Sequence, residues 1–117
     1  GFEGLPLILL QTKGARSGNR FDVPLIPVLE DARIFLFGTN AGSPKQPIWA
    51  LNVLAHPRIV VEYEARIFEA IIEPLSCVDA DVRLAQRAQD SEQLQQYLAN
   101  AAPRKVPVFE VCEIKSL

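Results

Sequence analysis

Residues 12–20, with the sequence TKGARSGNR, bring together three cations and two glycines without any acidic residue, although the whole chain has a formal net charge of −2. Gly14 and Gly18 permit positive φ angles, and successive backbone N–H groups in such a turn can form a concave anion site. The side chains that would add positive charge or a hydroxyl donor are Lys13, Arg16, Ser17 and Arg20. A solvated hairpin fits the spacing equally well, so both interpretations of this segment, the basic turn, stay open.

A second stretch, FGTNAGSPKQPIWALN at residues 37–52, combines a glycine-containing loop with the start of a helix. Free N–H groups and the helix dipole at such a start favour an anion or a ring carbonyl. Small residues that would let a flat ring approach the main chain are Thr39, Asn40, Ala41 and Gly42. A lone Trp49 at helical spacing is more typical of a core anchor. Asn52 is harder to explain as core, because a buried amide needs hydrogen-bond partners.

The chain lacks the residue patterns of self-sufficient catalytic sites. No Ser-His-Asp set is indicated, and the only histidine, His56, has no neighbouring ligand residues, so we predict no metal site. Asp79 and Asp81 fall at a predicted helix start, where helix capping is the simpler explanation. Tyr97 is expected to line the core or a groove. Any redox chemistry would therefore come from a bound cofactor.

Composition narrows the class of protein. A length of 117 residues predicts one domain covering 1–117, and a pI of about 5.4 argues against nucleic-acid binding. No apolar run is long enough to cross a bilayer, so we predict no transmembrane segment. Cys77 and Cys112 lie among apolar neighbours and are predicted to be buried free thiols, which suits the cytoplasm.

Strand and helix patterns predict an α+β domain of about six mostly antiparallel strands with two or three short helices, in the order βββαββααβ. Leu5 to Thr12 is typical of a strand buried on both faces. Pro24 and Pro27 predict an edge position, a bulge or a break in the second strand, over 20–30. The other predicted strands cover 34–39, 58–63, 67–75 and 106–114.

One helix is predicted before His56-Pro57, and two more within 78–101. The last two helices are separated near Asp90-Ser91, where Asp90 and Gln93 resemble a capping box.

Together these stretches resemble the deazaflavin-dependent nitroreductase and quinone reductase family, whose members use reduced coenzyme F-420. The resemblance is carried by LILLQTKGARSG with Pro24-Leu25, by GTNAGSPKQPIWALNVLAHPR at residues 38–58, and by RKVPVF at residues 104–109. It covers nearly the whole chain in the same order. It implies a split β-barrel fold like that of FMN-binding proteins, preceded in the family by an N-terminal helix that we expect to be absent from this chain.

The resemblance also implies positions for the coenzyme. Ala15, Arg16 and Ser17 would meet its acidic tail, with Lys13 and Arg20 adding charge. Residues implied near the phosphate and ring are Thr39, Asn40, Ala41, Gly42, Ile48, Trp49 and Asn52. Tyr97 is the nearest match to the tyrosines that line the substrate pocket in some relatives.

The implied function is hydride transfer from reduced coenzyme F-420 to a small electron-poor acceptor such as a quinone, an activated alkene or a nitro compound. Two alternatives stay open: an FMN-binding reductase on the same barrel, or a cofactor-binding module without catalysis. Split barrels often dimerise, which allows a homodimer. Quinone substrates would bring a cytoplasmic protein to the membrane.

Overall fold

Seven antiparallel strands form one curled sheet, as the β-branched segments and tight turns of the sequence predict. The computed structural model describes residues 6–117. The strands are β1 (Ile8–Lys13), β2 (Arg20–Leu25), β3 (Val28–Glu30), β4 (Arg33–Phe37), β5 (Arg58–Tyr63), β6 (Arg66–Pro74) and β7 (Val108–Ser116). The helices are α1 (Ile48–Ala55), α2 (Cys77–Ala88) and α3 (Glu92–Ala101), with a 3-10 turn at Asn40–Gly42. The predicted start of the first strand at Leu5 lies outside the described residues.

The spatial strand order is β2-β1-β5-β6-β7-β4-β3, with every pair antiparallel. The sheet is one strand larger than predicted, because the second predicted strand breaks at Pro27 into β2 and β3. These two strands are the two edges of the sheet. Pro24, which has no N–H to donate, therefore lies in an edge strand, where it does not interrupt the hydrogen bonding of a central strand. The α+β, split-barrel prediction is confirmed.

The covered face of the sheet holds the main core, and α1 packs against it. β1 alternates between buried and half-buried residues, so the prediction of a strand buried on both faces is wrong. Ile8, Leu10 and Thr12 point inward, while Leu9 and Gln11 keep partial exposure. The reason is that an antiparallel sheet can leave one face to solvent.

The second core cluster lies where α2 and α3 pack on β4 and the start of β7. α3 is capped by Ser91, whose hydroxyl accepts the Leu94 N–H at 3.1 Å. The predicted capping box at Asp90 and Gln93 is therefore wrong by one residue. The Asp90 N–H still belongs to the turn that ends α2, donating to the Arg87 carbonyl at 3.2 Å.

Both cysteines are free, as predicted, but neither is fully buried: Cys77 is exposed at the start of α2, and Cys112 is half-buried on β7. Burial, aided by nearby Glu110 and Glu73, raises the pKa of the Cys112 thiol to about 11. At pH 8 about one Cys112 thiol in a thousand is then the reactive thiolate.

We therefore expect a maleimide or disulfide reagent at pH 8 to modify Cys77 first and Cys112 far more slowly, as followed by mass spectrometry. Cys77→Ser is the control: it should remain nearly unlabelled when folded and gain one label in denaturant. Equal labelling rates for the two thiols in the folded chain would contradict the burial of Cys112.

Candidate functional site

The basic turn joins β1 to β2 and is closed by its own backbone. The Gly14 N–H donates to the Asn19 carbonyl at 2.8 Å, and the Gly18 N–H donates to the Gly14 carbonyl at 2.9 Å. Gly18 has a φ of +72°, which favours glycine, and a Cβ added at Gly14 would lie 2.5 Å from Ser17 Oγ. The N–H groups of Arg16 and Ser17 donate to no acceptor within residues 6–117. These two donors are available to an anion.

Asn52 connects the basic turn to α1. Its Oδ1 accepts the Ala15 N–H at 3.0 Å, across 37 residues of sequence. The Asn52 side chain is nearly enclosed, at 4% exposure. This bond gives its buried amide oxygen the hydrogen-bond partner that it requires. The contact brings together the two stretches that the sequence singled out.

A groove of about 690 Å³ opens between β2, the small-residue loop (residues 38–46) and the start of α1. We call it the α1 groove. Its lining residues are Phe21, Asp22, Val23, Asn40, Ser43, Lys45, Gln46, Pro47, Ile48, Trp49 and Asn52. The volume falls within the range of small-molecule and cofactor sites, about 300–1,000 Å³.

The cations around this groove differ in how their charge is balanced. Arg20 is held by Asp22, with Nε to Oδ1 at 2.7 Å and Nη2 to Oδ2 at 2.9 Å, and this bond lowers the pKa of the Asp22 carboxyl. Lys13 and Arg16 are exposed and form no ion pair in the described part of the chain. Lys45, which lines the groove, likewise has none. The cations of the basic turn lie outside the lining, and the turn adjoins the groove through the bond between Ala15 and Asn52.

Trp49 serves both the core and the groove. Its side chain is 8% exposed and packs against Phe109 with the ring centroids 5.4 Å apart, which is the core position expected for a lone tryptophan. The residue also lines the α1 groove, and Ile48 beside it is 75% exposed. The helix therefore presents an apolar wall at this point.

The four small residues of the loop do not share one location. Asn40 lines the α1 groove, and Thr39 lines a second groove described below. Gly42 is buried with a φ of +83°, and a Cβ added there would lie 3.2 Å from the Cα of Tyr97. Gly42 thus permits close packing of the loop on α3, and both Ala41 and Gly42 lie outside the two groove linings.

Arg104 binds the small-residue loop through its guanidinium group. Its Nη1 donates to the Gly38 carbonyl at 3.1 Å and to Gln46 Oε1 at 3.0 Å. Its Nη2 donates to the Thr39 and Ser43 carbonyls, both at 2.9 Å, and its Nε to the same Ser43 carbonyl at 3.1 Å. The five guanidinium N–H groups are all used on this loop. In the sequence, Arg104 stands out only as the first residue of the RKVPVF stretch, which gives no indication of this role.

A second groove of about 490 Å³ lies between residues 24–28 and α3, and we call it the α3 groove. Tyr97, predicted as a substrate-pocket residue, lines it and is half-buried. Consecutive residues line the two grooves, since Val23 and Asn40 line the first while Pro24 and Thr39 line the second. Both grooves are therefore bordered by β2 and by the small-residue loop.

Two kinds of site receive no support from the described residues. Residues 6–117 hold no cluster of three or more His, Cys, Asp or Glu side chains arranged for a metal ion. No helix over the same range has the length and apolar character needed to span a membrane.

Solved structures place this arrangement among known folds. An F420-H2 dependent reductase is similar at 27% identity, over 91% of this chain and 93% of the other, with a TM-score of 0.74. A domain-swapped dimer matches at 27% identity over 91% of this chain and 79% of the other, also with a TM-score of 0.74. The heme storage protein HutZ from Vibrio cholerae shares the fold, at 14% identity, 97% and 84% coverage and a TM-score of 0.61.

The sequence itself matches the family described as F420H(2)-dependent quinone reductase over residues 1–113. This family match favours coenzyme F-420 over FMN and a reductase over a cofactor-binding module without catalysis, which the residues alone had left open. The chain belongs to the F420H(2)-dependent quinone reductase family: it is a reductase, and coenzyme F-420 is its cofactor.

Proposed function

We propose that this chain transfers a hydride from reduced coenzyme F-420, held in the α1 groove, to an electron-poor acceptor in the α3 groove. The observation that carries the proposal is that β2 and the small-residue loop border both grooves, with Thr39 lining the α3 groove and Asn40 the α1 groove. A donor and an acceptor held against these shared segments would be brought near each other, and direct hydride transfer requires that they touch.

The residues present fit an anionic coenzyme. Arg16 and Lys13 offer unpaired charge, and the free N–H groups of Arg16 and Ser17 offer hydrogen bonds, for the phosphate and acidic tail. Asn52 has its Oδ1 fixed by Ala15, and its Nδ2 donates to no acceptor among residues 6–117. This amide would therefore donate to the ring system, beside the apolar wall of Ile48 and Trp49.

Lys45 adds a cation from the loop, whereas Arg20 contributes less than predicted because Asp22 offsets its charge. Ala15 acts through its backbone N–H, which is committed to Asn52. Ala41 and Gly42 would shape the loop and its packing on α3 without lining the coenzyme groove.

When bound, the reduced coenzyme supplies one hydride and one proton, so that a quinone becomes a quinol and the coenzyme is oxidised. The chain's own residues bind and orient the coenzyme and the acceptor and shield them from solvent. Phe37 and Leu94 make the α3 groove apolar, and Tyr97 places an aromatic ring and a hydroxyl at its edge. A planar, weakly polar acceptor suits this lining, and quinones, activated alkenes and nitro compounds all meet that description.

The direct test is anaerobic mixing of the chain with reduced coenzyme F-420 and menadione, with absorbance of the oxidised coenzyme as the readout. We expect turnover that depends on both substrates, with an activated alkene and a nitroarene as further acceptors. Tight coenzyme binding without oxidation by any of the three would contradict the proposal. Cytoplasmic location, and membrane association through quinones, stay predictions.

Arg16→Glu reverses one of the two unpaired cations of the basic turn and should weaken coenzyme binding by about 10- to 100-fold, because an anionic tail would meet a like charge. Fluorescence titration with the oxidised coenzyme measures the change, and the loss should shrink at high salt. Lys115→Glu is the control, since it makes the same charge change on β7 at an exposed position. Equal coenzyme affinity in the wild type and in Arg16→Glu would show that the basic turn is not part of the coenzyme site.

Arg104→Gln should lower stability by about 2–3 kcal/mol, because it frees several loop carbonyls from a charged donor. It should also weaken coenzyme binding, whereas Arg104→Lys, which keeps the charge and part of the bonding, should lose less of both. Denaturant unfolding and coenzyme titration measure the two effects. Arg33→Gln, which removes an exposed pair with Glu110, is the control and should cost under about 1 kcal/mol. An unchanged coenzyme affinity in Arg104→Gln would contradict the positioning role.

We also propose that the chain forms a homodimer. Support comes from the similar domain-swapped dimer and from the exposed apolar side of α1, where Leu51 and Leu54 are about half exposed. Light scattering after size exclusion should give twice the chain mass of 13.0 kDa, and Leu51→Glu with Leu54→Glu should reduce it. A single-chain mass for the wild type at micromolar concentration would contradict this.

A further inference from the structure

The lining of the α3 groove is chemically uneven. Its body is apolar, with Leu25, Ile26, Val28, Phe37 and Leu94. Among the residues that the structure describes there, Arg87 is the one charged side chain, and no acidic residue accompanies it. An apolar groove whose lining holds one cation and no acid is complementary to an apolar ligand that carries one negative group.

The polar groups of this groove lie toward its two ends, with Arg87, Ser91 and Gln93 near the α2–α3 junction. Thr39 and Tyr97 lie at the small-residue loop, because Thr39 belongs to that loop and Tyr97 packs against its Gly42. Arg87 lies with Ser91 at the other end, where α2 gives way to α3. Ser91 and Tyr97 are six residues apart, which is about 9 Å along a helix at 1.5 Å per residue. The groove therefore has one end at the small-residue loop, where the proposed function places the reaction, and a separate cationic end at Arg87.

The guanidinium of Arg87 has one long ion pair and no side-chain hydrogen bond among residues 6–117. Glu30 is the nearest acid, and Arg83 already holds it at 2.9 Å, while Arg87 is 3.8 Å from the other carboxylate oxygen. The Arg83 side chain is 18% exposed and Arg87 49%. Arg87 donates no side-chain hydrogen bond within residues 6–117. Its planar fork of donors is thus available to a carboxylate, which it can bind through two parallel bonds.

We propose that Arg87 is a specificity residue of the α3 groove, which selects planar apolar acceptors that carry a carboxylate. The carboxylate pairs with Arg87 at the α2–α3 junction, the apolar body lies on Val28, Phe37 and Leu94, and the reducible end reaches Thr39 and Tyr97. This inference rests on the proposed function, since it assumes that the α3 groove is the acceptor site.

The test compares two naphthoquinones that differ only in a carboxylate on a short side chain, each assayed with reduced coenzyme F-420. In the wild type, kcat/KM should be higher for the carboxylate compound. In Arg87→Gln this value should fall by about 10- to 100-fold, while kcat/KM for the neutral compound changes less than about twofold. Arg87→Glu should lower it further and should favour an analogue that carries an amine in place of the carboxylate.

Lys105→Gln is the matched control, because it removes an exposed cation that pairs with Asp81 on α2 and lies outside this groove. Its preference between the two naphthoquinones should equal that of the wild type. A preference that is unchanged in Arg87→Gln and Arg87→Glu would overturn the role of Arg87 while leaving the proposed function intact.

Calorimetric binding of the carboxylate naphthoquinone, without turnover, separates the two failures. If the wild type reduces neither compound, the proposed function fails, and this measurement alone decides the role of Arg87. Binding that weakens by about 10-fold or more in Arg87→Gln supports the carboxylate subsite. Binding that is equal in wild type and variant overturns it.

Discussion

The bond between the Ala15 N–H and Asn52 Oδ1 is the contact on which the rest of the site depends. A buried amide without a partner carries a desolvation cost, so α1, which Trp49 and Val53 anchor in the core, is most stable when the basic turn lies against it. The turn is closed by two backbone bonds of its own, from Gly14 to Asn19 and from Gly18 to Gly14, and the bond to Asn52 fixes it against the helix. This contact thus links a cluster of cations to an apolar helix wall.

Arg104 fixes the opposite wall by the same principle. The small-residue loop has few apolar side chains, and Asn40 and Ala41 adopt left-handed backbone angles. Hydrogen bonds within the loop hold its local shape, and five donors from the Arg104 guanidinium tie it to the rest of the domain. With both walls held before any ligand arrives, binding need not order the loop, which favours affinity and a defined ring position.

The sequence predicted the features that depend on neighbouring residues. The strands, the edge prolines and the end of α1 at His56-Pro57 follow from local patterns, and the motif resemblance identified the family. Contacts between distant segments could not be read in this way: Arg104 meets its loop carbonyls across 61 to 66 residues, and Gly42 faces α3 only because of how the two pack. The Arg20–Asp22 pair was open to prediction, since alternate residues of a strand share a face.

We propose that the coenzyme lies with its anionic tail on the basic turn and its ring against α1. Amide NMR spectra of the isotope-labelled chain, recorded during titration with oxidised coenzyme F-420, test this placement. We expect the backbone amides of Arg16 and Ser17, the side-chain amide of Asn52 and the Trp49 indole to shift together with one affinity. Shifts confined to other parts of the chain, with these four signals unmoved at saturation, would contradict it.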